Sequence, residues 1–183
     1  MRPVLLLLLS SLTMLIAACG SQPPTPFVHS VDDTSGESFT RSREPLRMLA
    51  PRPALSRVGK DYLFVAPVSV AGLGVPQNYL WFGFGSTLDR RLTGAPLPNI
   101  NAIVLVVDDV PMTFDIVNWS DIASSEPFDL DVESYETFGA KITRSQLRRI
   151  ASASKLSAFV TNLEHRSPIY AMSEGEYADW SSL

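Results

Sequence analysis

Hydrophobic positions cluster first between Val4 and Ile16, where only Ser10, Ser11 and Thr13 interrupt the apolar run. Met1-Arg2 gives that run a positive start, and Ala17-Ala18 gives it a small-residue end. Charged start, apolar middle and small end form the layout of a secretory signal. The run is shorter than the ~20 residues that span a bilayer as a helix. Between residues 20 and 57 the pattern breaks up. Six prolines, from Pro23 to Pro53, punctuate polar residues, and Phe27, Phe39 and Leu46 stand without a sustained period. Such a stretch buries too little apolar surface to offset its ordering entropy, so it is expected to be a tether. Docking of Leu46–Leu49 as an edge segment is the alternative.

From Val58 onward the apolar positions organise. Asp61–Val70 is rich in β-branched and aromatic residues and predicts a strand, with Pro67 at an edge or bulge because it lacks a donor. Residues 71–77 hold two glycines and a proline and predict a loop. Asn78–Thr87 predicts a second strand, paired with the first as a hairpin. Ala102–Val107 is apolar throughout, the pattern of a strand covered on both faces. Asp108-Asp109 turns it, and Pro111–Trp119 returns with alternating Met112, Phe114 and Ile116. Ser120–Asp129 reads as a loop. Asp131–Ile142 predicts a further strand with a possible bulge at Gly139.

Late in the chain the period changes. Thr143-Arg144-Ser145-Gln146 matches the capping box, and Leu147, Ile150 and Ala151 follow on one helical face. Lys155–Leu163 and Pro168–Met172 predict two more strands around a turn at residues 164–167. Ser173-Glu174-Gly175-Glu176 is a second capping box, opening a last helix with Tyr177 and Trp180. About seven strands and two short late helices predict a mostly β, α+β domain of antiparallel, sandwich-like build. A single curled sheet with helices on one face is the alternative. The expected organisation is a signal over residues 1–18, a tether over 19–57 and a β-rich domain over 58–183.

Ile16-Ala17-Ala18-Cys19 resembles the lipobox of bacterial lipoproteins: a hydrophobic residue, two small ones, then cysteine. The resemblance covers only the first twenty or so residues. It implies a diacylglyceryl group on the Cys19 sulfur, cleavage before Cys19 and acylation of the new amine. Two or more chains, at ~0.8 kcal/mol per buried methylene, hold a protein on the bilayer. In such lipoproteins an aspartate after the cysteine favours the inner membrane. Gly20 stands there, so the resemblance implies a periplasm-facing anchor in the outer membrane.

The formal net charge is −4 and no basic cluster occurs, which argues against a nucleic-acid partner. Cys19 is the only cysteine, so no intrachain disulfide is available. His29 and His165 are the only histidines, and neither lies in a nucleophile elbow or a zinc spacing. No cofactor and no metal are expected. Asp129, Asp131 and Glu133 alternate, but an EF-hand loop would need glycine and glutamate where Ser134 and Ala140 stand. Asn118-Trp119-Ser120 matches a glycosylation sequon by chance.

Tyr79, Trp81, Gly83 and Gly85 share one face of the second strand, and Leu80, Phe82 and Phe84 share the other. An exposed aromatic beside glycines could receive a ligand or partner backbone. The plainer reading lets Trp81 fill the space its glycines leave inside the fold. Two functions follow. One is a lipid-anchored binding or scaffolding module for an envelope protein or glycan, contacting it through the loop around Val75, through Tyr79 and Trp81, and along an edge near Pro67. The other is an envelope hydrolase using Asp108, Asp109 and Asp115.

Overall fold

A computed structural model describes residues 27–51, 60–72, 74–86, 100–132, 134–161 and 170–172. The fold is built on two long strands, β4 (Lys60–Ala71) and β5 (Gln77–Ser86), paired antiparallel along their length. Both are apolar at odd and even positions, so both faces of this ribbon demand cover. Leu63, Val65, Leu80, Phe82 and Phe84 point into the main core. Phe64, Ala66, Val68, Val70 and Trp81 point into a second core on the opposite face.

One antiparallel sheet supplies the first cover. To β4 and β5 it adds β3 (Leu46–Pro51), β6 (Ala102–Val107), β7 (Val110–Asp115), β8 (Val117–Asn118), β9 (Ser134–Lys141), β10 (Leu156–Thr161) and β11 (Tyr170–Met172). The order is β7-β6-β10-β11-β3-β4-β5-β9-β8. Its end strands, β7 and β8, are separated in the chain only by Ile116, so the sheet curls nearly closed around the main core. The mostly β, antiparallel build expected from the sequence is present, formed by one nearly closed sheet. Helix α1 (Arg144–Ala151) lays Ile150, fully buried, and Leu147 against that core. Its capping box forms as expected: the Gln146 amide donates to Thr143 Oγ1 at 3.3 Å, and the Thr143 amide donates to Gln146 Oε1 at 2.9 Å. The second predicted helix, from Ser173, lies outside the described residues.

The stretch read as a tether needs correction. It contains β1 (Phe27–Val31), β2 (Ser38–Ser42) and β3, and all three belong to the sheet. Leu46, Met48 and Ala50 alternate with Arg47 and Leu49 and are buried in the main core. Their period of two is short and flanked by prolines, which hid it in the sequence. The described fold therefore already includes residues 27–51, ahead of Val58.

Pro67 is also not at an exposed edge. On one side it pairs with Leu80 of β5. On the other side β4 changes partner: β3 ends opposite Val65 and β2 begins opposite Val68. Three residues, Arg43–Pro45, join the two strands near Ala66 and Pro67. Among the described residues no strand pairs with β4 on that side at Pro67, where a backbone donor is missing. The corner is held by the Ser42 hydroxyl on the Glu44 carbonyl (2.9 Å) and by Arg41 Nη1 on the Ser42 and Arg43 carbonyls (3.1 and 3.0 Å).

Segment 119–132 covers the second core. It starts with a 3-10 turn at Trp119–Asp121 and presses Trp119, Ala123, Phe128 and Leu130 onto β4, β5 and β9. The β1–β2 turn fastens it: Glu37 Oε2 accepts the Ser124 amide (3.0 Å) and hydroxyl (2.7 Å). Those two bonds hold the Glu37 carboxyl below its ordinary value, and bonds from Ser125, Ser35 and Thr34 do the same for Asp32.

Candidate functional site

The β4–β5 tip, residues 72–76, joins two strands that their cores hold rigid. Val75 projects from it with 83% of its surface exposed. No neighbouring heavy atom stands within 4 Å of where a Cβ would lie at Gly72 or Gly74. Tyr79, one strand residue behind Asn78, is half-buried. Its hydroxyl donates to Gln77 Oε1 at 3.1 Å, and its ring meets Trp119 edge-on with centroids 6.2 Å apart. Val75 and Tyr79 thus sit toward the same end of the hairpin.

Trp81 does not join them. It is fully buried, with its ring 4.9 Å from that of Phe128. Its indole N–H donates to Glu126 Oε2 at 3.1 Å, and the Thr137 hydroxyl donates to Glu126 Oε1. Gly83 makes room for the indole: a Cβ there would lie 2.6 Å from Trp81 Cη2. Trp81 is a core residue that fills the space over a glycine, not an exposed contact residue. The Arg41 guanidinium caps the same layer, 4.6 Å above the Phe128 ring. Removal from water pushes its pKa below the ordinary value.

The carboxylates of the hydrolase reading do not converge. Asp108 and Asp109 form the two-residue turn between β6 and β7, with φ of 48° and 65°. Positive φ at both positions suits the tight turn that matches strand twist, and aspartate tolerates it. Asp108 Oδ1 accepts the Ser154 and Lys155 amides, both at 2.9 Å, which ties this turn to the α1–β10 connection. Asp109 pairs with Lys155 Nζ at 2.8 Å in the open. Asp115 ends β7, five residues from Val110, roughly 17 Å along the strand. Asp129 and Asp131 face water on either side of buried Leu130. Among the described residues no group of three or more His, Cys, Asp or Glu side chains could hold a metal ion. His29 lies on β1 and shares a 2.8 Å hydrogen bond with the Thr40 hydroxyl.

Cys19, Glu133 and His165 lie outside the described residues. No helix among the described residues is long and apolar enough to cross a membrane. Comparison of the chain with protein-family models, curated proteins and solved structures finds no match. Sequence reasoning missed Trp119 as a core anchor. The signal was the alternation of Phe128, Leu130 and Val132, which marked the segment after Trp119 as a packed one.

Proposed function

We propose that the protein is a lipid-anchored envelope protein of the outer membrane, held through acyl chains on Cys19, whose β-rich domain binds an envelope protein or glycan. The β4–β5 tip is the contact surface, with Val75 at its apex and Tyr79 behind it. The observation that carries this reading is an apolar side chain, Val75, turned outward at the end of two strands packed on both faces. A rigid element presenting an apolar group loses little conformational entropy on binding. Of the hydrolase candidates, Asp108 and Asp109 are engaged in a turn and a surface ion pair, and Asp115 stands at the far end of β7.

Two experiments test it. Labelling cells with a fatty-acid analogue should mark the chain, and Cys19→Ala should abolish both label and membrane retention. Label that persists in Cys19→Ala would remove the anchor from the proposal. A photo-crosslinker at Gly74, where open space surrounds the backbone, should capture a discrete envelope partner, and Val75→Lys should weaken that capture with the melting temperature unchanged. Loss of the cellular phenotype in a folded Asp108→Asn protein would restore the hydrolase.

A further inference from the structure

Between Glu136 and Glu164 the chain holds no aspartate or glutamate but five cations: Lys141, Arg144, Arg148, Arg149 and Lys155. They form no run in the sequence, and the fold gathers them. Leu147 and Ile150 fix one side of α1 on the main core, which turns Arg144, Ser145, Arg148 and Arg149 outward, all exposed. Lys141 is exposed at the end of β9, three residues ahead of Arg144. Lys155 pairs with Asp109. Among the described residues the other four cations have no ion-pair partner.

Helix stability does not account for this face. Cations near a helix C-terminus complement its dipole, which covers Arg148 and Arg149 in the last turn. Arg144 opens the first turn, where the dipole favours an acid and α1 has none. Arg144 and Arg148 are also four residues apart, a like-charge spacing that destabilises a helix. Natural chains break such local rules at functional sites.

We infer that the outer face of α1 rests on anionic phospholipid headgroups, with Lys141, Arg144, Arg148 and Arg149 against the phosphates. The inference rests on the membrane location in the proposed function and adds the side of the domain that faces the lipid. It does not depend on the Val75 contact. Two observations select a headgroup layer over an acidic protein. The exposed positions of α1 are arginine, serine and alanine, without the aromatic or large apolar anchor that carries a protein interface. A headgroup layer needs only charge. Phe27 follows Cys19 by eight residues, ~28 Å at full stretch. An anchor at Cys19 therefore keeps the domain beside the leaflet whichever side it turns, and the four cations decide that side. Lys141 pairs with Tyr79, and the Ile142 amide donates to the Asn78 carbonyl at 3.1 Å. The helix thus starts beside the β4–β5 tip, and the same pose brings Val75 toward the membrane surface.

The test uses the chain as isolated from membranes, reconstituted in vesicles of phosphatidylglycerol and phosphatidylcholine in equal parts. A fluorescent amino acid replaces Ser145 or, as control, Glu136, which is exposed toward the other end of β9, ~17 Å along the strand from Lys141. Energy transfer to an acceptor on the headgroups is then measured. Transfer should be several-fold higher from position 145 than from 136. The difference should vanish in phosphatidylcholine alone and at ~1 M salt, where the screening length is ~3 Å. Each cation that meets an anionic leaflet weights an orientation about fivefold, so Arg148→Gln with Arg149→Gln should lower the docked population ~25-fold in a folded protein. Arg43→Gln should leave it unchanged. A chain recovered in soluble form, which would remove the anchor, should still bind the same vesicles and not pure phosphatidylcholine. Equal transfer from the two positions, equal transfer in the two lipids, or an unchanged signal in the double variant overturns the inference. So does a probe at position 145 that is shielded by an acidic envelope protein in place of lipid.

Discussion

Gly139→Ala should destabilise the protein although it adds only one methyl group. Gly139 lies mid-strand in β9, with Trp81 of β5 opposite it on one side and Val117 of β8 on the other. No bulge occurs there, contrary to the expectation from sequence, and the strand has no freedom to retreat. A Cβ at this position would overlap Ile122 Cδ1 and lie 3.0 and 3.2 Å from Trp119 ring carbons. The Ile122 side chain can move, but the Trp119 ring is buried and its indole N–H is held by the Ser125 carbonyl at 2.8 Å. Overpacking of this kind costs about 1–3 kcal/mol. Relief of the glycine entropy penalty in a strand returns roughly 0.5–1 kcal/mol. The net loss of ~1–2 kcal/mol corresponds to ~2–8 °C in Tm for a chain of this size. Thermal and urea unfolding should be followed for Gly139→Ala, Ile122→Ala and the double variant, with Gly72→Ala as the control in open space. Removing Ile122 should recover part of the loss, a coupling of ~0.5–2 kcal/mol. Strict additivity, or a Gly139→Ala protein as stable as Gly72→Ala, would refute the packing argument.

Thr143→Ala should cost ~1 kcal/mol through loss of the cap on α1, read from the denaturant midpoint. Asp108→Ala should cost about 1–3 kcal/mol, because two backbone amides lose their acceptor and alanine disfavours positive φ, whereas Asp108→Asn should unfold near the parent midpoint. The Glu37 and Asp32 carboxyls have lower pKa values folded than unfolded, so their contribution is complete above the unfolded values and is lost as pH falls through the folded ones. Protection of the Ser124 amide relative to its intrinsic exchange rate should accordingly fall only once pH drops below the ordinary carboxylate value, before the sheet strands open, and Glu37→Gln should reproduce much of this loss of protection at neutral pH. Trypsin should spare Arg41 and Arg47, which lie inside paired strands, until global unfolding; early cleavage at both would return residues 27–51 to the tether.

Much of the barrel was legible because its strands declare themselves locally. The Ala102–Val107 run, the Asp108-Asp109 turn and the Thr143 capping box each carry their physics in neighbouring residues. The N-terminal strands do not. β1 and β2 bury little apart from Phe39 and Ser42, and their place depends on a partner strand some thirty residues later. The hidden second core follows the same logic. Trp81 looked available because its strand face alternates aromatic and glycine, yet the cover comes from Phe128 and Leu130, far along the chain. Pro67 announced a missing donor correctly, but only the pairing of β2 and β3 shows that the gap falls at a change of partner.

That change of partner has a mechanical meaning. Because β2 and β3 grip different halves of β4, β1 and β2 can come away from β4 as a unit while β3 stays in the barrel wall. A pull applied within β1, at the open end of the β1–β2 hairpin, would peel the β1–β2 pairs one after another. β3 bears none of that load until the Arg43–Pro45 corner is drawn straight. The hairpin would thus yield first, as a fuse that gives up Phe39 and the Glu37–Ser124 bonds of the second core while the main core stays packed.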